Sequence, residues 1–210
     1  VLSNGVPKRF LEIPEKPRST RKQSFKVLSV GRFAKEKCQA TILHAIAESK
    51  YRGQIELTMI GAGPLETEMR DLANSLGLKV FMGSVSDDEL VQHYAEADLF
   101  LHAGEIELEG MSVIEAMAAA KAIVVSDSKD SATGTFVTDV HARFQHGNAD
   151  DLSAKVDYWF ENPDERHAAA IANRRQAEHI THEHSVALLQ STYHSLCSQQ
   201  RVDAELLNEQ

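Results

Sequence analysis

Glu107-Leu108-Glu109-Gly110-Met111-Ser112-Val113-Ile114-Glu115-Ala116-Met117-Ala118 is the stretch on which the fold turns. It follows an apolar run, Ala97-Asp98-Leu99-Phe100-Leu101, with the character of a buried strand, and it leads into Ala116 to Ala120, which has the character of a helix. Two carboxylates therefore bracket a strand-to-helix turn. In open α/β sheets a ligand sits beyond the carboxyl ends of the strands and faces helix N-termini, so acids and a glycine gathered there are placed for chemistry. Gly110 lets backbone come close to a bound molecule.

On both sides of this turn strand and helix alternate. Phe25 to Val30 is the first strong strand, ending at Gly31-Arg32, and Cys38 to Ser49 has helical apolar spacing. Ile55 to Ile60 is a second strand; Gly61-Ala62-Gly63-Pro64 then makes a tight turn into a helix from Leu65 to Leu76, with Pro64 suited to its first position and Gly77 to its close. Val80 to Gly83 is a short strand, and Asp87 to Ala95 a helix with Ser86 and Glu89 spaced as a capping box. Ile123 to Ser126, a loop from Asp127 to Gly134 and a last short strand near Arg143-Phe144 follow. Strands spaced by roughly 20 to 30 residues with helices between them predict an α/β fold, a Rossmann-like doubly wound parallel sheet.

This core spans residues 25–150. Residues 1–24 form an entry segment and linker: Val1 to Gly5 reads as a strand running into a turn, and Pro7 to Gln23, with three prolines, as an irregular connector. Residues 151–200 read as helices only, Asp151 to Asn162, Pro163 towards Ile180 and Ser185 to Gln199, expected to pack on one flank. Residues 201–210 are polar enough to fray. The first residue is not Met, and the chain reads as a piece of something longer.

Composition narrows the function classes. A 42% apolar, 25% charged chain of 210 residues can bury a real core, and a net charge of −9 argues against nucleic acid or an anionic membrane as the main partner, a local basic patch aside. No apolar run reaches the roughly 18 residues that a transmembrane helix needs. Cys38 and Cys197 are far apart in sequence, which points to a reducing compartment and a cytoplasmic location.

Arg32 and Lys37 lie on the turn after the first strand, where a guanidinium and an ammonium can grip a diphosphate; the competing reading is two solvated cations on an exposed turn. Ser112-Val113-Ile114-Glu115 has the spacing of a capping box, so Glu115 is either a cap, an acceptor for ribose hydroxyls, or both. Glu107 lies eight residues earlier, off the helix, and must project from the loop; Glu105 and Glu109 are alternatives of the same kind, and all three are open to the reading of solvated loop acids. The run His179-Ile180-Thr181-His182-Glu183-His184 lacks the H-E-x-x-H order and reads as surface histidines. No Asp-x-Asp pair follows a strand, so phosphate charge is expected to be met without a metal ion or other cofactor, by Arg32, Lys37 and helix N-termini.

Five motifs in order resemble those of the retaining glycosyltransferases of family four: Val30-Gly31-Arg32-Phe33 with Lys37; Ile60-Gly61-Ala62-Gly63-Pro64-Leu65; Val80-Phe81-Met82-Gly83-Ser84-Val85; Tyr94-Ala95-Glu96-Ala97-Asp98-Leu99-Phe100; and Glu107-x7-Glu115-Ala116-Met117-Ala118. The likeness runs from about Val1 to about Leu196 and is to the C-terminal, donor-binding half of a two-Rossmann-domain (GT-B) enzyme. It implies that Arg32 and Lys37 hold the diphosphate of a nucleotide-sugar donor, that Glu115 binds the ribose, and that Glu107 faces the transferred sugar. It further implies that Gly110, Met111 and Ser112 offer backbone amides and that Gly83, within Met82 to Val85, edges the base. The resemblance implies a UDP-hexose donor, a second Rossmann domain upstream in the same chain, and a fragment that does not turn over alone.

Cys38 stands where the family usually has Gly, Glu109 where it has an aromatic, and His102-Ala103-Gly104 where it has Pro-Ser. Ser131-Ala132-Thr133-Gly134-Thr135-Phe136 resembles an element of members that glycosylate lipids, which points to a glycolipid or polysaccharide acceptor and to a peripheral place at the inner face of a membrane. The alternatives are a non-catalytic nucleotide-sugar-binding or interaction module and half of a nucleotide-sugar epimerase.

Overall fold

The elements of the computed structural model are α1 Lys8–Leu11, β1 Phe25–Val30, α2 Gln39–Glu48, β2 Ile55–Ile60, α3 Glu66–Ser75, β3 Val80–Gly83 and α4 Asp87–Glu96. After them come β4 Leu99–His102, α5 Met111–Ala118, β5 Ala122–Ser126, β6 Arg143–Phe144, α6 Ala149–Glu161, α7 Pro163–Ala177 and α8 His182–Asn208. The structure describes residues 3–16 and 24–208, from residue 197 onward as backbone only. The expected strand at Val1-Leu2, part of the connector (17–23) and the last two residues lie outside the described residues.

Every strand pairing is parallel, in the order β3-β2-β1-β4-β5-β6. This is the predicted doubly wound sheet, and its order reverses between β1 and β4, where such folds open their ligand crevice. Parallel strands covered by helices on both faces must be apolar throughout, and β4 and β5 are buried along their whole length.

The turns beyond β1, β2 and β3 are laced by backbone. Gly31 N–H donates to Ile60 O at 2.9 Å, Gly61 N–H to Gly83 O at 2.9 Å and Phe33 N–H to Ala62 O at 3.1 Å. Gly61 (φ +150°) has no room for a side chain, because a Cβ would overlap the Gly31 carbonyl; one on Gly63 would overlap Phe33 backbone. The glycine pair thus serves close packing of two turns, as a tight turn should.

Five local expectations change. Pro64 is not in a helix: α3 starts at Glu66 with Leu65 as its N-cap, leaving Pro64 in the preceding turn. The helix after β4 begins at Met111, earlier than expected, because Gly110 takes a left-handed conformation (φ 73°, ψ 47°) that turns the loop directly into α5. That removes the Ser112–Glu115 capping box, since Ser112 lies inside the first turn. The connector is not wholly irregular: α1 forms there, and Val6 and Phe10 are fully buried, with the Phe10 ring edge-on to Tyr94 at 5.2 Å. Finally, the late helices do not share one flank. α6 packs on α2 and α7 on α5, and right-handed β1–β2 and β4–β5 crossovers running in opposite directions put α2 and α5 on opposite faces. The capping box at Ser86 and Glu89 is present, with Glu89 N–H to Ser86 Oγ at 3.3 Å and Ser86 N–H to Glu89 Oε2 at 2.8 Å. No helix among the described residues is long and apolar enough to cross a membrane.

Lys121 is a charged residue in the core, 2% exposed. Its Nζ donates to Ala95 O at 2.9 Å, satisfying a carbonyl in the last turn of α4 that has no partner within its own helix. Burial, with smaller repulsion from Lys16 and Arg174, brings its pKa down to about 7. A lysine depressed below its unfolded value leaves the unfolded chain with more bound protons between the two values, so stability rises with pH across that window. The stability of Lys121→Met relative to the parent should therefore be greatest near pH 6 and shrink towards pH 10 in paired urea titrations; a constant difference would contradict a buried, depressed amine. Gly61→Ala should lose about 2 kcal/mol or more in the same assay, by backbone overlap and strain.

Candidate functional site

The site is built where β1 and β4 part. Beyond β1 the chain makes a turn of 3₁₀ helix at Lys35–Lys37; beyond β4 it runs through Ala103 to Glu109 before Gly110 starts α5. The β4–α5 loop is held from outside: Glu107 N–H donates to Asp130 O at 3.2 Å and Ala132 N–H to Glu107 O at 2.8 Å. Glu107 therefore has a fixed backbone, and its carboxylate turns inward.

There Glu107 Oε2 accepts a hydrogen bond from Lys37 Nζ and lies 3.2 Å from His102 Nε2. The side chains are only 17% (Glu107), 22% (Lys37) and 5% (His102) exposed. The His102 hydrogen bond first, and then the Lys37 hydrogen bond and charge, pull the Glu107 carboxyl down to about 2 against the opposing effect of burial. Glu107 is thus an ion across the ordinary pH range. As an ionised carboxylate it can only accept, so Nε2 of His102 carries the shared proton. The His102 Nδ1 is buried with no hydrogen-bond partner among the described residues, and Gly104 leaves room for the ring, since a Cβ there would stand 2.6 Å from Cε1.

His102 is the neighbour of Glu107 that sequence reasoning noted as a departure but gave no role. Its signal was a polar residue closing an otherwise apolar strand five positions before Glu107. Arg32 is exposed on the turn beyond β1, and its guanidinium has no hydrogen-bond or ion-pair partner among the described residues. Its carbonyl accepts from Gln39 Nε2 at 2.6 Å, which ties the turn to α2.

Gly110, Met111 and Ser112 form the start of α5, whose first amides have no acceptor in the helix and point out of its N-terminus. A Cβ on Gly110 would stand 2.5 Å from Thr133 Cγ2, so the left-handed turn is also sterically closed to other residues. Glu115 sits one turn further on. Its Oε2 accepts from the Tyr94 hydroxyl at 2.9 Å, and the same hydroxyl lies 3.1 Å from Ser112 O. Burial raises the Glu115 carboxyl, Tyr94 opposes it, and Arg9 and Asp87 act weakly and with opposite signs. Gly83 ends β3 at φ +146°, two strands from β1, and shares with the others the carboxyl edge of the sheet.

The remaining acids separate. Glu109 accepts from Ser3 Oγ, from Asn4 N–H at 2.6 Å and from Asn4 Nδ2 at 2.6 Å, so it fastens the entry segment. Glu105 is exposed. The histidine run lies beside that segment as well, with Val6 N–H donating to Ile180 O at 2.7 Å. Next to it, a groove of about 540 Å³ is lined by Leu108, Ile114, Phe136, Ile180 and Leu188 together with Glu109.

Tyr94→Phe should leave the half-buried Glu115 carboxylate without its donor. A group whose folded-state pKa stands above its unfolded value contributes stability at low pH that is lost as pH rises through the folded value. The variant should extend that loss upward, costing about 1–2 kcal/mol at pH 7 and less at pH 4, as read by denaturant titration at both pH values. An equal loss at both would show that Tyr94 acts by packing alone.

Comparison with known proteins gives the family of the chain. The family model described as glycosyl transferases group 1 matches residues 12–176. Among solved structures, the catalytic domain of cholesterol-alpha-glucosyltransferase from Helicobacter pylori is 35% identical with a TM-score of 0.68, over 73% of this chain and 97% of that one. Anabaena HepE in complex with UDP and glucose is 20% identical with a TM-score of 0.72, over 84% of this chain and 49% of that one, a likeness of fold. The alpha-monoglucosyldiacylglycerol synthase of Acholeplasma laidlawii is 31% identical over 109 residues, which is 50% of this chain but only 27% of that protein. The family match runs through all six strands and both acids of the β4–α5 turn, and the chain belongs to the glycosyl transferases group 1 family.

Proposed function

We propose that this chain is the nucleotide-sugar donor-binding domain of a retaining hexosyltransferase, with a UDP-hexose as donor and a glycolipid or polysaccharide as acceptor. The observation that carries the reading is the contact of Lys37 with Glu107 at the switch point, with Arg32 exposed on the same turn as Lys37 and α5 starting directly after the loop that carries Glu107. Two cations and a helix N-terminus suit a diphosphate, and they stabilise the leaving nucleotide as charge develops on it, without a metal ion. Glu107, kept ionised, suits the sugar: it accepts from hydroxyls and faces the positive charge that grows at the anomeric carbon. Glu115 has one carboxylate oxygen held by Tyr94 and the other to offer to ribose hydroxyls. Gly83 and its neighbours edge the base.

HepE holds UDP and glucose, which supports the choice of donor. The names of the Helicobacter pylori and Acholeplasma laidlawii relatives, together with the apolar groove beside Phe136, support a lipid-linked acceptor. In this reading the enzyme works in the cytoplasm, peripheral to the inner face of the membrane. A second Rossmann domain of the same chain closes over the donor, and the domain described by these residues is inactive alone.

The test is calorimetric titration with UDP, GDP and ADP. UDP should bind selectively, and Arg32→Ala should weaken it at least tenfold, the loss of about one charge-assisted contact. Equal affinity of parent and Arg32→Ala for every nucleotide would remove the diphosphate site from the turn beyond β1.

A further inference from the structure

Cys38, Glu105 and His146 arrive from three separate connections at the carboxyl edge of the sheet, β1–α2, β4–α5 and β6–α6, and their ligand atoms all lie within 4.8 Å of one another. A thiol, a carboxylate and an imidazole converging from distant parts of the chain are a donor set, unlike a patch of surface acids. Each is also held in place. Cys38 occupies a left-handed backbone conformation (φ 49°, ψ 36°), which is costly for a residue with a Cβ and persists only where the surroundings impose it. Glu105 N–H donates to Glu36 O at 2.8 Å, and Glu105 O accepts from Ser128 Oγ at 2.6 Å. His146 N–H donates to Asp127 Oδ1 at 2.7 Å, and its Nδ1 lies 3.0 Å from the hydroxyl of Ser126, which is fully buried.

That last contact has the form of the outer-shell hydrogen bond that orients metal-binding imidazoles: with Nδ1–H given to Ser126, Nε2 offers its lone pair. We propose that Cys38, Glu105 and His146 form a binding site for a borderline-soft divalent cation of the Zn²⁺ class, with a fourth, tetrahedral position open. Sulfur and imidazole donors favour such a cation over Mg²⁺ or Ca²⁺, which take oxygen. Tetrahedral bonds of about 2.0–2.3 Å set ligand atoms about 3.3–3.8 Å apart, so the three side chains need draw in by only about an ångström. Binding releases the thiol proton to solvent and forms a metal–thiolate bond, with no oxidation.

The site clasps the loops that carry Lys37, next to Cys38, and Glu107, two residues after Glu105. It is separate from the transfer chemistry proposed above, and it stands or falls independently of the donor.

The test adds Zn²⁺ and, in parallel, Co²⁺ to the metal-free chain with any affinity tag removed. One equivalent should bind, cobalt should show a thiolate charge-transfer band, and Zn²⁺ should protect Cys38 from alkylation, read by peptide mapping so that Cys197 is scored apart. Cys38→Ser and His146→Ala should each weaken Zn²⁺ at least tenfold, whereas the double variant His182→Ala/His184→Ala should bind as the parent does. No bound metal, a cobalt spectrum without the thiolate band and without protection of Cys38, or loss only in the His182/His184 variant would overturn the site.

Discussion

Lys37 and Glu107 meet across the gap that the sheet opens between β1 and β4, seventy residues apart in sequence. Neither could be where it is if the strand order did not reverse there, because only then do the turns beyond two adjacent strands diverge into a crevice. Their contact is also what gives the crevice its chemistry. It presents an ammonium with a fixed position and a carboxylate that stays charged, His102 supplying the second donor that secures the ion from behind.

The rest of the molecule bears on that contact in layers. Gly61 and Gly63 let the turns beyond β1 and β2 share backbone hydrogen bonds, which sets where Arg32 and Lys37 leave the sheet. The 130–132 segment holds the β4–α5 loop so that Glu107 faces inward, and Gly110 turns that loop abruptly into α5. Even the entry segment takes part: Phe10 packs edge-on against Tyr94, the residue that holds Glu115. A substitution well away from the crevice can in this way reach it through backbone.

The sheet was legible in the sequence because its signal is strong and local. Fully buried parallel strands such as Leu99-Phe100-Leu101 and Ile123-Val124-Val125 stand out as apolar runs, and their spacing dictates the topology. Lys37 and Glu107 could be picked out as candidates by position, but their meeting could not, since it depends on three-dimensional register. The Glu115 cap failed for a physical reason: spacing shows that a cap is possible, while the left-handed Gly110 started the helix before Ser112 could serve. Tyr94 and the anchoring role of Glu109 were hidden because each acts on a partner far away in sequence, and polar residues with distant partners leave no periodic trace; His102 is only five residues from Glu107, but their meeting depends on how the loop beyond β4 folds back, which no spacing rule gives. The burial of Phe10 was masked by the prolines and charges around it.

The chain belongs to the glycosyl transferases group 1 family, and the crevice gathers the residues through which it is proposed to take part in sugar transfer. The most direct measurement is a crystal structure of the chain with UDP-glucose. The diphosphate should lie within hydrogen-bonding reach of Arg32, Lys37 and the first amides of α5, with the ribose on Glu115 and the hexose against Glu107. A nucleotide seated instead in the groove beside Phe136 and Leu188, with the β1–β4 crevice unengaged, would contradict the account.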